Sequence, residues 1–103
     1  IKELLKKFPD ITAVFCATGT IATGAANALL ENGTNIPENI SIAGIGSTNY
    51  GINTLKITSI IYDYAKTGSE GAKMLLNILD NKIESDKISV PYQFFLGNTV
   101  KKI

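Results

Sequence analysis

The stretch Ile11–Gly46 restricts the fold more than any other part of the chain. Its order is an apolar run, a small polar turn, a small-residue helical pattern, a polar turn and a second apolar run ending in glycine. Ile11–Ala17 is apolar apart from Thr12, and short runs of that kind suit a strand covered on both faces, as in parallel sheets. Ile40–Ile45 is the second such run. A helix between two strands is the usual crossover that makes them parallel. Thr18 or Thr20 can cap that helix by accepting a backbone N–H. The helix is expected to reach about Asn32, with Gly33 as a left-handed cap and Ile36–Asn39 as a surface turn. Ile21, Ala25 and Leu29 share one face, with Ala22, Ala26 and Leu30 beside it. Its first half is nearly all Ala, Gly and Thr, so it can approach a neighbour closely.

The rest of the chain attaches to this βαβ unit. Ile1, Leu4, Leu5 and Phe8 recur at helical spacing with lysines and Glu3 opposite, and Pro9-Asp10 breaks the pattern. A chain that opens inside an uncapped helix, without methionine, reads as a piece of a longer polypeptide. Gly46–Lys56 reads as irregular and Ile57–Ile61 as a third strand. Asp63 can cap a helix from Tyr64 to about Asn81, whose buried stripe is Ala65, Gly68, Ala72, Leu75, Leu76 and Leu79. Lys66 and Glu70 are expected to pair one turn apart. Ile88–Leu96 is strand-like but interrupted by Pro91, so it reads as an edge or a kinked crossover, and Gly97-Asn98 reads as a tight turn.

Composition narrows the chemistry. Ten lysines oppose nine acids, for a net charge of +1, and arginine is absent. A surface that reads DNA wants clustered basic residues, so this segment is a poor match for direct DNA contact. With histidine also absent, the commonest general base and metal ligand are missing, and no cofactor or metal site is expected. Gly44-Ile45-Gly46 is a partial dinucleotide-type start, but it lacks the third glycine and a helix directly after it. No nucleophile–base pair accompanies it, so the chain does not read as an enzyme. The lone Cys16 lies in an apolar run and fits a reducing cytoplasmic setting. No apolar run approaches the ~20 residues of a membrane span, and no membrane partner is expected.

The expected fold class is α/β, an open parallel sheet with flanking helices. Open sheets of this kind bind ligands at the C-terminal edge of their strands. The groups converging there are Thr18, Gly19 and Thr20; Ser47, Thr48 and Asn49; and Tyr62, Asp63 and Tyr64. Hydroxyls, an amide, a carboxylate and two rings suit a neutral polar ligand such as a sugar. The same residues also serve as ordinary caps and turns.

The series PDITAVFCATGTIATGAANALLENGTNIPENISIAGIG, then LKITSIIYDYAKTGSEGAKMLLNIL, then SVPYQFF, resembles the LacI/GalR family of bacterial transcription regulators. The resemblance spans nearly the whole chain and implies part of a type I periplasmic-binding-protein-like effector domain. It implies that residues 1–60 belong to the second subdomain of a clamp, that 61–90 cross to the first, and that 91–103 return. A DNA-binding headpiece and most of the first subdomain would lie outside this chain. The implied ligand contacts are Thr18, Gly19, Ser47, Asn49, Tyr62 and Asp63. The implied homodimer contacts are Thr23, Ala26, Asn27, Tyr50 and Asn53. A solute-binding protein for transport shares the fold and is the alternative, separable by whether a headpiece or a leader peptide precedes the chain.

The departures from that family are specific. Thr18-Gly19 stands where Asn-Asp is common, Gly46 where an aspartate grips sugar hydroxyls, and Tyr62 where glutamine is frequent. Gly97-Asn98-Thr99 occupies the late Arg-x-Ser position. These changes imply an altered effector, weaker sugar binding, or gripping groups supplied by the part of the domain outside this chain, because a carboxylate grips hydroxyls better than a neutral group. Asp63 can substitute for the lost carboxylate or only cap its helix. On the small-residue helix, close packing against a partner and against its own sheet are equally open. With its sheet edges unpaired, the chain is expected to be marginal alone or ordered by another chain. A soluble, monomeric and cooperatively melting sample of these residues would refute that expectation.

Overall fold

The computed structural model describes residues 1–46, 51–52, 54–80, 82 and 87–102, with 51 and 52 described as backbone only. In chain order the elements are α1 (Lys2–Lys7), β1 (Ala13–Cys16), α2 (Gly19–Glu31), β2 (Ser41–Ile45), β3 (Gly51–Ile52), β4 (Leu55–Lys56), β5 (Thr58–Tyr62), α3 (Tyr64–Leu79) and β6 (Tyr92–Phe95). The main sheet has the order β1-β2-β5-β6, while β3 and β4 form a separate antiparallel ribbon. β1 and β2 are parallel, as are β2 and β5, with Phe15 opposite Ala43 and Gly44 opposite Ser59. This is the expected open α/β arrangement. The ribbon corrects the irregular reading of Gly46–Lys56 at Gly51–Ile52 and Leu55–Lys56. The chain divides into two compact units, Ile1–Ile61 with Phe94–Ile103, and Tyr62–Gln93.

The core of the first unit forms where α2 lies on the sheet. Ala22, Ala26 and Leu29 are fully buried there, four and three residues apart on one helical stripe. The small residues permit close approach. A Cβ placed on Gly44 would lie 3.2 Å from the Ala22 Cβ and 3.3 Å from the Cys16 carbonyl oxygen. Ile42, Ile57 and Cys16 complete the core, and α1 adds the partly buried Ile1 and Leu5. Asn32 ends α2 and Gly33 follows at φ 74°, the left-handed cap foreseen for it. Ile36 is buried in this core, so the turn expected at the surface is anchored from inside. The reading of β1 as covered on both faces is also corrected. Ala13 is exposed and Phe15 is 62% exposed, because alternate strand residues face opposite sides and the helical layer covers one of them.

The end of the chain closes the opposite, N-terminal end of the parallel strands. Thr99 is fully buried. Its hydroxyl accepts the Thr58 N–H at 3.0 Å and donates to the Ile42 carbonyl at 2.7 Å, and its own carbonyl accepts the Ile42 N–H. Asn98 accepts the Lys56 N–H on Oδ1 and donates from Nδ2 to the Thr54 carbonyl. Gly97-Asn98 is therefore not a free-standing turn. It presses on β4, where a Cβ on Gly97 would fall 1.8 Å from the Lys56 carbonyl oxygen. Beyond it, Lys101 donates its N–H to Ser41 Oγ and its Nζ to the Glu38 carbonyl.

In the second unit, Asp63 caps α3 by accepting the Lys66 N–H on Oδ1 at 2.8 Å. The apolar stripe of α3 is present but uncovered: no residue of the helix is buried, and Leu75, Leu76 and Leu79 are exposed. Periodicity reports which residues share a face, and no described residue in this unit buries that face. Glu70 pairs with Lys73 at 2.9 Å rather than with Lys66. The hydrogen bond from Lys73 and its charge lower the Glu70 carboxyl below its ordinary range, but an exposed pair of this kind contributes little stability. β6 begins directly after Pro91 and lies at the sheet edge, as expected for a strand led by proline.

Two substitutions test the closing segment. Thr99→Val keeps the shape but strands the Ile42 carbonyl and the Thr58 N–H in the interior. We expect a loss of about 2–4 kcal/mol in urea unfolding, with Thr99→Ser close to the parent chain. Gly97→Ala drives a methyl group into the Lys56 carbonyl, and we expect a fall of about 1–3 kcal/mol in the same measurement.

Candidate functional site

Because β1, β2 and β5 are parallel, their C-terminal ends share one edge. In the first unit that edge is built from the β1–α2 turn and the end of β2. Thr18 is exposed and extended, and its Oγ1 accepts the Ile21 N–H at 3.2 Å. This settles the choice between Thr18 and Thr20 as the cap of α2. With its oxygen already accepting, the Thr18 hydroxyl proton remains able to donate outward. Gly19 is buried as the first helical residue, and Thr20 is exposed.

Gly46 ends β2. It is buried, its N–H donates to the Ile60 carbonyl at 2.8 Å, and its φ is 137°. L side chains rarely adopt that φ, so the position suits glycine. The rim over Gly44 is also side-chain-poor, since the Thr18 carbonyl oxygen lies 3.4 Å from where a Cβ would stand. Cys16 lies beneath, only 4% exposed, and burial pushes its thiol up from the ordinary value. A neutral, enclosed thiol is a small core residue and not a nucleophile.

In the second unit Tyr62 and Tyr64 are exposed and meet edge to face, with ring centroids 6.3 Å apart at 74°. Asp63 stands between them in sequence and caps α3, so its helix-capping reading holds. Ser47 and Asn49, foreseen at the ligand edge, lie outside the described residues, as do Tyr50 and Asn53.

The residues foreseen at a dimer contact divide. Ala26 is wholly buried in the core of its own unit, so its side chain packs on its own sheet. Asn27 is exposed and Thr23 half-buried. The Thr23 Oγ1 is buried without a hydrogen-bond partner among the described residues. Gly97-Asn98-Thr99, the segment aligned with a gripping motif, lies at the N-terminal end of β2 and β5, away from this edge. Its structural role had no local signal, because the bonds span 41 and 57 residues of sequence.

Hollows elsewhere in the first unit include two lined by described residues. One of about 450 Å³ lies between α1 and α2 beside Ile21, Gly24 and Ala28. The other, of about 340 Å³, lies on the open sheet face beside Phe15, Ala43 and Val100. Neither is lined by Thr18 or Gly46. Among the described residues no group of three His, Cys, Asp or Glu could hold a metal ion. Among them, no helix is long and apolar enough to cross a membrane.

The model of the periplasmic binding protein-like domain matches residues 1–100. The HTH-type transcriptional regulator IpsA of Corynebacterium glutamicum is 28% identical over 102 residues, covering 99% of this chain and 28% of its own length. The HTH-type transcriptional regulator IdnR of Escherichia coli is 32% identical over 102 residues, covering 97% of this chain and 31% of its own length. The chain thus spans less than a third of these relatives. The fold matches that of the transcriptional regulator CelR in its cellobiose complex, with a TM-score of 0.84 at 22% identity, over 95% of this chain and 31% of that one. Across residues 1–100 this chain belongs to the periplasmic binding protein-like domain family.

Proposed function

We propose that this chain is part of the effector-sensing domain of a LacI-type regulator, a repressor by its resemblance. It takes a small polar ligand such as a sugar at the C-terminal edge of its parallel strands. The family match over residues 1–100 carries the reading, and the named relatives are transcriptional regulators rather than transport proteins or enzymes. The cellobiose in the CelR complex supports a sugar-like ligand class. DNA is reached through a headpiece outside this chain, in the cytoplasm.

Residues 1–60 act as part of the second subdomain, 61–90 cross to the first, and 91–103 return. The division of compact units at Ile61/Tyr62 and Gln93/Phe94 supports this. Thr18 donates a hydroxyl hydrogen bond and Gly19 supplies backbone, and Ser47 and Asn49 are further ligand contacts. Tyr62 offers a ring, and Asp63 offers the carboxylate oxygen that does not cap α3. Ligand acts on DNA affinity only through its different affinity for two states of the protein. The regulator works as a homodimer, and the outward side of α2 with the Tyr50–Asn53 segment faces the partner.

Isothermal titration of the full-length protein against sugars and nucleosides tests the ligand reading. We expect one class to bind, and an intact protein that binds none would sink it. Thr18→Ala should weaken that binding roughly threefold to tenfold and lower stability by about 1 kcal/mol, with Thr18→Ser restoring both. Sedimentation equilibrium tests the dimer: Thr23→Arg should shift the folded protein toward monomer, and an unchanged dimer places the contact away from α2.

A further inference from the structure

β6 has no internal means of fixing its register. A strand with one buried face is held in place because a one-residue slip turns every side chain to the wrong side. Tyr92, Gln93 and Phe94 are exposed and Phe95 only half-buried, so that restraint is weak here. A tight hairpin turn would also fix register. None is available, because α3 separates β5 from β6 in sequence. Yet β6 occupies a defined place beside β5.

The residues directly after β6 supply what the strand lacks. Asn98 accepts the Lys56 N–H on Oδ1 at 2.6 Å, donates its own N–H to the Lys56 carbonyl at 2.9 Å, and donates from Nδ2 to the Thr54 carbonyl at 2.9 Å. Beside it, Gly97 donates its N–H to Thr58 Oγ1 at 3.1 Å, in a contact too close for any side chain at that position.

We propose that the Asn98 carboxamide is the positioning residue that sets the register of β6 on β5. One residue of slip moves a strand by about 3.3 Å, which breaks all three Asn98 bonds at once. The bonds grip the segment that leads into β5, two residues before that strand begins. Together with the Gly97 and Thr99 bonds to Thr58, they tie the returning segment to the start of the outgoing strand. The chain leaves the first unit along β5 and re-enters it along β6, so this tie also fixes where the returning strand joins the sheet. The role is independent of the ligand and of the effector reading.

Native-state hydrogen exchange on the full-length protein tests it. In Asn98→Ala we expect whichever of the Phe94 and Phe95 amides is directed at β5 to exchange at least about tenfold faster, roughly 1.4 kcal/mol. The amides between β1 and β2 should keep their parent rates. Asn98→Asp keeps an acceptor on the Lys56 N–H and loses the donor to Thr54, so its β6 amides should show an intermediate rate. Faster exchange confined to Lys56 overturns the proposal, as does equal acceleration throughout β1 and β2, which would mark a global loss of stability. If Asn98→Ala does not fold, Asn98→Asp decides alone, and parent-like β6 protection in it overturns the proposal.

Discussion

The first unit depends on a hydroxyl that sits where two strands begin. Thr99 Oγ1 joins the Thr58 N–H to the Ile42 carbonyl inside a fully buried position. A backbone group left unpaired there loses its hydrogen bond to water and gains nothing in return. The contact therefore commits the end of the chain to the parallel sheet. Gly97 makes the same commitment sterically, because the approach to Lys56 leaves no space for a Cβ.

That closure separates two tasks along the strands. The N-terminal ends of β2 and β5 are tied by Thr99, and the C-terminal edge is left to Thr18 and Gly46. Among the described residues, the stretch Gly44–Gly46 at that edge carries few side chains for a backbone reason. Gly46 holds a φ that favours glycine, and Gly44 admits the Cys16–Thr18 turn closely. A carboxylate grip at Gly46 is thus disfavoured by conformation as well as absent by composition. Among the described residues of the first unit, that edge presents the exposed Thr18 hydroxyl and backbone groups.

Amphipathic patterns promise a partner without supplying it. Phe15 on the sheet and Leu75, Leu76 and Leu79 on α3 follow the strand and helix periods, and all are exposed. Burial requires a second surface, and the relatives are more than three times as long as this chain. Within each unit, among the described residues, these apolar faces stay exposed.

The order strand, helix, strand, strand, helix, strand was legible because each step has a local cause. Apolar runs of strand length, the small-residue helix, Gly33 as a cap, Asp63 as a cap and Pro91 at a strand start act within a few residues. Likewise legible was that Thr18 and Gly46 follow strands that end at one edge, since parallel strands must end together. Tertiary structure decided what depends on distance along the chain. It turned Ile36 inward, placed Ala26 on its own sheet, moved the Glu70 ion pair to Lys73 and bound Asn98 and Thr99 to strands about 40 to 60 residues earlier. Local sequence sets conformation through short-range sterics and capping. Which distant group satisfies a buried N–H or fills a given space is fixed only when the chain has closed.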